Sequence, residues 1–458
     1  MSNIDELILM RSFFQSGATF PVKFRIAQLQ KLKAAIKTNE KQIFDALDED
    51  LGKSPEECWV TENGFLLAEI NHAIRNLSDW ASPRPVPTNM LNFPGKSFVL
   101  PEPLGVVLII GPWNYPLQLV LAPLMAAIAA GNCAVLKPSE LAPATEKLIQ
   151  SIIAETFSPE YIRVISGNGS VVVPEMMNDF RFDHVFYTGS TSVGKQVYQM
   201  AAKQLVPVTL ELGGKSPAII DEDANITVSA KRIAMAKFSN VGQMCVAPDY
   251  VLVHKNVAGK FLAGLKDTIV KFFGTDPAQS YDYGKIINTK QFNRLLSYLQ
   301  TGNVYYGGRN DIGKRFIEPT ILYPSGISDP VMQEEIFGPI LPVIEYAGDD
   351  EALSIINRHK NPLAAYIFSG SKSRQQFWLQ QVPSGGACIN TASIHLTNPN
   401  LPFGGRGNSG FGNYHGIFGF DTFSHLKAVL KMPLWPDPSI RYPSYKGKLG
   451  WFKKITGQ

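Results

Sequence analysis

Cysteine is scarce in this chain. Four residues, Cys58, Cys133, Cys245 and Cys388, are scattered over 458 positions, with no Cys-x-x-Cys pair and no nearby histidine pair. That excludes a disulfide scaffold and a recognisable zinc site, and it fits a reducing compartment. Charge of one sign is also wanting: 43 basic and 39 acidic residues nearly cancel to +4, and no long block of one sign precedes the segment Lys446 to Lys454. Nucleic acid is therefore not an expected partner. The first residues, Met1-Ser2-Asn3-Ile4-Asp5-Glu6, carry acids where a secretion signal has a basic segment ahead of an apolar one, so cytoplasmic residence is the expectation. No run of about 18 apolar residues survives either. The charge-free stretch between Glu102 and Lys137 is interrupted by Gly111-Pro112, Asn114, Pro116, Gln118 and Pro123, and reads as buried strand, loop and buried helix.

Length and rhythm say what is present. A chain of 458 residues exceeds one compact core and implies two or three domains, and 45% hydrophobic residues suffice for a sizeable core. From Pro21 to Leu51 the apolar residues Phe24, Ile26, Leu29, Leu32, Ile36, Ile43 and Leu47 recur at three- and four-residue steps. That predicts amphipathic helices, interrupted near Thr38-Asn39 and ended at Gly52. Three prolines in Pro83-Arg84-Pro85-Val86-Pro87 forbid helix and begin an excursion that returns at Pro101-Glu102-Pro103. Short β-rich runs then follow: Val106 to Ile110, Cys133 to Leu136, Ile162 to Ile165, His184 to Tyr187 and Val208 to Leu210. Between them lie helical segments at Leu117 to Ala130, Thr145 to Phe157 and Ser192 to Gln204. Strands alternating with helices predict a parallel, doubly wound sheet with ligand loops at the carboxyl ends of its strands. A second α/β set follows, with helical stretches at Lys255 to Phe273, Lys290 to Gln300 and Asp350 to Arg358. The proline- and aromatic-rich tail from Pro433 to Tyr445 suits lying against another surface.

Three separated stretches carry chemistry. In Ser239-Asn240-Val241-Gly242-Gln243-Met244-Cys245 a cysteine sits in a Gly/Gln-bearing loop just before the apolar run Tyr250 to Val253, where a loop can present a thiol to a ligand. An isolated buried cysteine is more often a small hydrophobe, so its company decides. A thiol that attacks a carbonyl needs a donor for the developing oxyanion and a base to activate water when the adduct is hydrolysed. Asn114 of Gly111-Pro112-Trp113-Asn114-Tyr115-Pro116 and Glu211 of Leu210-Glu211-Leu212-Gly213-Gly214-Lys215 supply those types. Together these stretches resemble the aldehyde dehydrogenase family, with Cys245 as nucleophile, Asn114 as oxyanion donor and Glu211 as the base. The late segments Leu401 to Gly410, Tyr414-His415-Gly416 and Phe420 to His425 resemble its class 3, fatty-aldehyde group.

A phosphate site is expected at Gly189-Ser190-Thr191-Ser192-Val193-Gly194-Lys195, which follows a strand and opens a helix whose backbone donors suit an anion. Gly-x4-Gly-Lys is most of a P-loop, but Gln196 stands where a Ser or Thr hydroxyl binds magnesium, which disfavours nucleotide hydrolysis. The turn is similar instead to the family's GSTxVG turn, so Gly189, Ser190, Thr191, Ser192, Val193 and Gly194 are assigned to the cofactor, with Pro112 and Trp113. By the same resemblance Lys137 and Glu140 meet the adenosine ribose, where a carboxylate repels a 2′-phosphate and favours NAD, NADP remaining open. In Gln333-Glu334-Glu335-Ile336-Phe337-Gly338-Pro339, Glu335 is the nicotinamide-ribose residue and Phe337 supports the ring; a helix end is the bland alternative. Glu335 also stays open as the deacylation base.

The resemblance implies a Rossmann-type parallel cofactor-binding sheet (residues 1–82 and 103–210), a second α/β catalytic domain (211–410) and a small bridging or oligomerisation element with the tail (83–102 and 411–458). It implies NAD(P)-dependent oxidation of medium- or long-chain aliphatic or aromatic aldehydes by a homodimer, with no metal and no membrane anchor. Arg406, Val241 and Met244 are positions where substrate preference can depart from the group, and His415 and His425 are expected in core or interface roles. The rival class is a fold-retaining binding protein without turnover.

Overall fold

The computed structural model describes residues 3–455; Met1, Ser2 and the Thr456-Gly457-Gln458 end, with the expectations about leader and anchor that fall on them, lie outside the described residues. Two large sheets dominate. The first has the order Gly410–Phe411, Val208–Glu211, His184–Thr188, Val106–Ile110, Cys133–Lys137, Ile162–Val164. Its last five strands are parallel, and Gly410–Phe411 closes the edge antiparallel to Val208–Glu211. Val106–Ile110 and Cys133–Lys137 are buried along their whole length, as strands covered by helices on both faces must be. The crossovers are Gln118–Ala130, Pro143–Thr156, Gly169–Asp179 and Thr191–Ala202. The predicted doubly wound sheet is therefore present, with strand limits within a residue of those expected.

The helix Gly169–Asp179 is the element the sequence hid. Its run Val171-Val172-Val173 and the internal Pro174 speak against helix, yet the Asn168 side chain accepts from the Ser170 N–H at 3.0 Å, and Val173, Met176 and Met177 bury one face. Early on, Val22–Thr38 and Glu40–Leu51 form with the predicted break, and Gly52 ends the second at φ 68, a left-handed turn that favours glycine.

The second sheet has seven strands in the order Val304–Tyr306, Thr320–Leu322, Ile340–Tyr346, Tyr250–His254, Pro217–Ile220, Ala364–Phe368, Gly386–Ile389, parallel except for the first pair. A third, antiparallel sheet joins Arg84–Val86 to Lys96–Pro103 and that strand to Ser424–Lys431, so the proline-led excursion and the late segment meet. Beyond it Leu434 and Trp435 are exposed, and the Arg441 guanidinium donates to the Phe93 carbonyl at 2.5 Å. Among the described residues no helix is long and apolar enough to cross a membrane. Five loops leave the first sheet at the carboxyl ends of parallel strands: those beginning at Gly111, Pro138, Ile165, Gly189 and Leu212. They open on the same edge, the place where such sheets hold ligands.

Candidate active site

Cys245 is half-buried in a loop with an unusual backbone. Asn240, Val241 and Gly242 have φ of 47, 55 and 73 in succession, and Val241 is a β-branched residue in the left-handed region, a conformation that costs of order 1–3 kcal/mol. The surroundings over-determine it. Gln243 donates to the Asn240 and Lys285 carbonyls, both at 3.1 Å, and accepts from the Ile287 N–H at 3.0 Å. Gly242 is required here, because a Cβ would collide with the Gly338 carbonyl. Burial, then the neighbouring Glu335 and Glu211 carboxyls, push the Cys245 thiol up to about 12, against the pull of the Cys245 and Val246 N–H groups.

Asn114 is buried after the strand Val106–Ile110. Its side chain donates to the Gln243 carbonyl at 3.0 Å, and its own carbonyl accepts from Asn240 Nδ2 at 2.8 Å. One side-chain N–H remains for a ligand. Glu211 ends the strand Val208–Glu211, paired with Thr188 on one side and Gly410 on the other. Both its oxygens lack a hydrogen-bond partner among the described residues, and burial holds its carboxyl well above the ordinary range.

Glu335 lies in a loop after the short helix Pro330–Met332, not at the end of a longer helix, and Phe337 has φ 49. Its carboxyl abuts Gly213, where a Cβ would collide with it. Burial and then Asp249 raise it to about 8, against the Gly214 N–H, Lys215 and Arg294. Lys215 and Asp249 anchor this loop: Lys215 pairs with Asp249 and donates to the Val331 and Glu334 carbonyls at 3.0 and 2.9 Å, while Asp249 accepts from the Ile336 N–H at 2.9 Å. Arg294 adds donations to the Glu335 and Ile336 carbonyls at 3.2 and 2.6 Å. No motif pointed to Arg294 or Asp249.

Three neighbouring cavities share lining residues in this region. One, of about 460 Å³, lies among Pro112, Lys137, Glu140, Gly189 and Ser190. The next, of about 550 Å³, shares Pro112, Trp113, Gly189 and Ser190 and reaches Thr191, Ser192, Asn114, Glu335 and Phe337. Trp113 and Phe337 set ring edge to ring face across it, centroids 5.1 Å apart. The third, of about 270 Å³, is almost wholly apolar, with Phe65, Leu119, Met235, Met244 and Leu396 on its walls. Cys245 and Glu211 line both the second and the third.

The first two cavities fit a dinucleotide by their donor chemistry. The Ser190 hydroxyl caps the helix Thr191–Ala202 by accepting from the Val193 N–H at 3.4 Å, leaving that helix start open to an anion. Lys137 is buried and pairs with Glu140 at 3.0 Å, and Glu140 also accepts from the Gly169 N–H at 2.9 Å. Burial raises the Glu140 carboxyl, but Gly169 and Lys137 outweigh it and hold the group below its ordinary range. Gly194 departs from its expected place. It lines neither cavity, and a Cβ on it would stand 2.7 Å from the Leu212 side chain, so it serves the close packing of helix on strand.

Of the positions expected to tune the substrate, Met244 lines the apolar cavity, whereas Val241 is buried in the loop and Arg406 is exposed. His415, expected in the core, is buried with Nδ1 3.1 Å from Glu69 and also forms cavity wall; His425 is exposed in a strand. Among the described residues no group of three or more His, Cys, Asp or Glu could hold a metal.

A sequence model of the aldehyde dehydrogenase family matches residues 9–429. The chain is 46% identical over 445 residues to the 4,4′-diaponeurosporen-aldehyde dehydrogenase of Staphylococcus aureus, covering 97% of this chain and 96% of that protein. It is 42% identical over 452 residues to the "aldehyde dehydrogenase, dimeric NADP-preferring" of Canis lupus familiaris, covering 98% and 99%. The solved substrate-bound state of Staphylococcus aureus AldH superposes with a TM-score of 0.97 at 45% identity, covering the whole of both chains.

Proposed function

Since the chain belongs to the aldehyde dehydrogenase family, in its class 3 branch, and oxidises aldehydes with NAD(P), we propose that Cys245, Asn114 and Glu211 carry that reaction. The observation that carries the proposal is the sharing of Cys245 and Glu211 between an apolar cavity and the cofactor groove. A substrate on one side and a hydride acceptor on the other then meet at one sulfur atom.

Burial disfavours the charged form of the thiol and of both carboxyls, and at the thiol the Glu335 and Glu211 carboxyls add to that effect. The thiol proton must pass to solvent water before the sulfur attacks. The sulfur adds to the aldehyde carbon, and the oxyanion is received by the free Asn114 side-chain N–H and the Cys245 backbone N–H. NAD(P) held in the adjoining groove would supply the hydride acceptor that lets the thiohemiacetal on Cys245 become a thioester. Glu211, once ionised, takes a proton from water as that water adds to the thioester carbonyl. The acid departs and the sulfur is restored. Glu335 is assigned to cofactor binding, because its loop is fixed by Lys215, Asp249 and Arg294.

Lys137, Glu140, the Gly189 to Val193 turn, Pro112, Trp113 and Phe337 are assigned to the dinucleotide, and the paired Glu140 carboxylate favours NAD by repelling a 2′-phosphate. The apolar cavity favours medium- and long-chain aliphatic or aromatic aldehydes. The first sheet and its helices form the cofactor domain, the second sheet the catalytic domain, and the third sheet with the tail an oligomerisation element. Its exposed Leu434 and Trp435, and the dimeric relative's name, support a homodimer. Free cysteines throughout support a cytoplasmic enzyme. Nothing supports the nucleotide hydrolase or the binding protein without turnover. The test is a panel of aldehydes against NAD and NADP with Cys245→Ala as control: NADH formation that needs both aldehyde and Cys245 is expected, and turnover retained without the thiol refutes the scheme.

A further inference from the structure

Behind the oxyanion loop lies a charged pair for which the reaction outlined above has no use. The side chains of Lys53 and Glu62 have 0% exposure, and Lys53 Nζ stands 2.8 Å from Glu62 Oε1. Stability alone does not account for such a pair. Taking both charges out of water carries a heavy desolvation penalty, and apolar residues of the same volume often do as well or better. What the pair touches is more informative.

The Lys53 ammonium spends its donors in three directions: on Glu62, on the Asn114 carbonyl at 3.2 Å, and over the Tyr115 ring, 4.0 Å from its centroid. Glu62 Oε2 accepts from the Leu117 and Gln118 N–H groups at 3.1 and 2.9 Å, where the helix Gln118–Ala130 begins. An anion suits that helix start. The pair thus grips the turn from both sides of Tyr115-Pro116, at the carbonyl of Asn114 before and at two amides after. Asn114 in turn holds the Gln243 carbonyl, two residues before Cys245. Local geometry delivers both charges inward. Gly52, at φ 68, turns the chain off a helix just ahead of Lys53, and Glu62 sits in the π-helical turn Trp59–Asn63.

We propose that the Lys53–Glu62 ion pair is a positioning element that fixes the Asn114 amide relative to Cys245 and acts on acylation through Asn114. The inference rests on the reading of Asn114 as the oxyanion donor. A misplacement of about 1 Å in a reacting constellation costs on the order of 100-fold in rate, and the pair acts beside the bonds from Asn240 Nδ2 to the Asn114 carbonyl at 2.8 Å and from the Leu119 N–H to the Tyr115 carbonyl at 3.0 Å.

The experiment is the rate constant of NADH appearance in a single turnover of the full-length enzyme at saturating NAD. It compares wild type, Lys53→Met, Glu62→Gln, Asn114→Ala and the double variant Lys53→Met/Asn114→Ala. NAD dissociation constants, from quenching of protein fluorescence, run in parallel, and thermal melting checks the fold. Asn114→Ala is expected to slow NADH appearance by about 100- to 1000-fold, and Lys53→Met and Glu62→Gln by about 10- to 100-fold each. NAD affinity should stay within about twofold. In the Asn114→Ala background Lys53→Met should add less than about twofold, the sign that both act through one group. Should Lys53→Met not accumulate as folded protein, the nearly isosteric Glu62→Gln carries the test alone. Unchanged NADH appearance in the folded single variants overturns the positioning role, as does a loss that multiplies fully with that of Asn114→Ala. A normal rate in Asn114→Ala overturns the oxyanion reading instead.

Discussion

Replacing Glu211 with Gln separates the two halves of the reaction. Both Glu211 oxygens are without partners among the described residues, so the substitution breaks no protein hydrogen bond and keeps the shape of the site. What it removes is the proposed base. General-base catalysis contributes about 10²- to 10⁴-fold, or roughly 3–5 kcal/mol of barrier. Glu211→Gln should therefore release one NADH per site at close to the wild-type rate in stopped flow and then turn over about 10²- to 10⁴-fold more slowly. Because burial holds the wild-type carboxyl well above its ordinary range, wild-type deacylation should keep climbing at pH values above the ordinary carboxylate range, a slope the variant lacks. Stability gives a second readout. A carboxyl whose folded pKa is raised keeps its proton where the unfolded chain has lost it, so unfolding free energy falls as pH rises from about 4.3 toward the folded value. Glu211→Gln should melt above wild type at pH 8 and gain nothing at pH 4. Steady-state turnover within about threefold of wild type at pH 7 would refute the assignment and move the base to Glu335.

Three further outcomes follow from the site. Glu140→Gln removes the carboxylate assigned above to the adenosine ribose and should raise the kcat/KM ratio of NADP over NAD about tenfold, a repulsion of ~1.4 kcal/mol at a partly exposed site; an unchanged ratio contradicts the assignment. Each methylene that enters the apolar cavity should improve aldehyde kcat/KM about fourfold, from ~0.8 kcal/mol per buried CH₂, until the cavity is full or another step limits; a flat series from butanal to decanal contradicts a substrate role for it. Alkylation of Cys245 by iodoacetamide should be slow at pH 7, since the thiol is pushed up to about 12. At pH 9, above the Glu335 value of about 8, Glu335→Gln should speed it by removing a neighbouring negative charge; an equal or slower rate contradicts that electrostatic coupling.

The first sheet was legible because its strands are apolar runs bounded by glycine, proline and polar turns, as Val106 to Ile110 before Gly111-Pro112 illustrates. The helix Gly169–Asp179 was not, since its valines and Pro174 argue locally for something else and tertiary burial decides. Cys245, Asn114 and Glu211 could be singled out by type and motif, but nothing in spacing brings three positions so far apart to one wall; only the fold does that, in the cavity they line together. Gly194 belonged to the right motif and the wrong surface, because the helix turns it toward Leu212. Lys53 and Glu62 were illegible for a physical reason: charged residues beside amphipathic helices read as solvated faces. Only the packed turn at Asn114 gives them a buried one.

The proposed reaction turns on a covalent bond from Cys245 to its substrate. Acid-quenched Glu211→Gln, mixed with NAD and decanal, should gain the mass of one acyl group in intact-protein mass spectrometry. The adduct should map to the peptide containing Cys245 and be absent in the Cys245→Ala, Glu211→Gln double variant. A protein that forms NADH and carries no adduct, or carries it on another residue, contradicts the account.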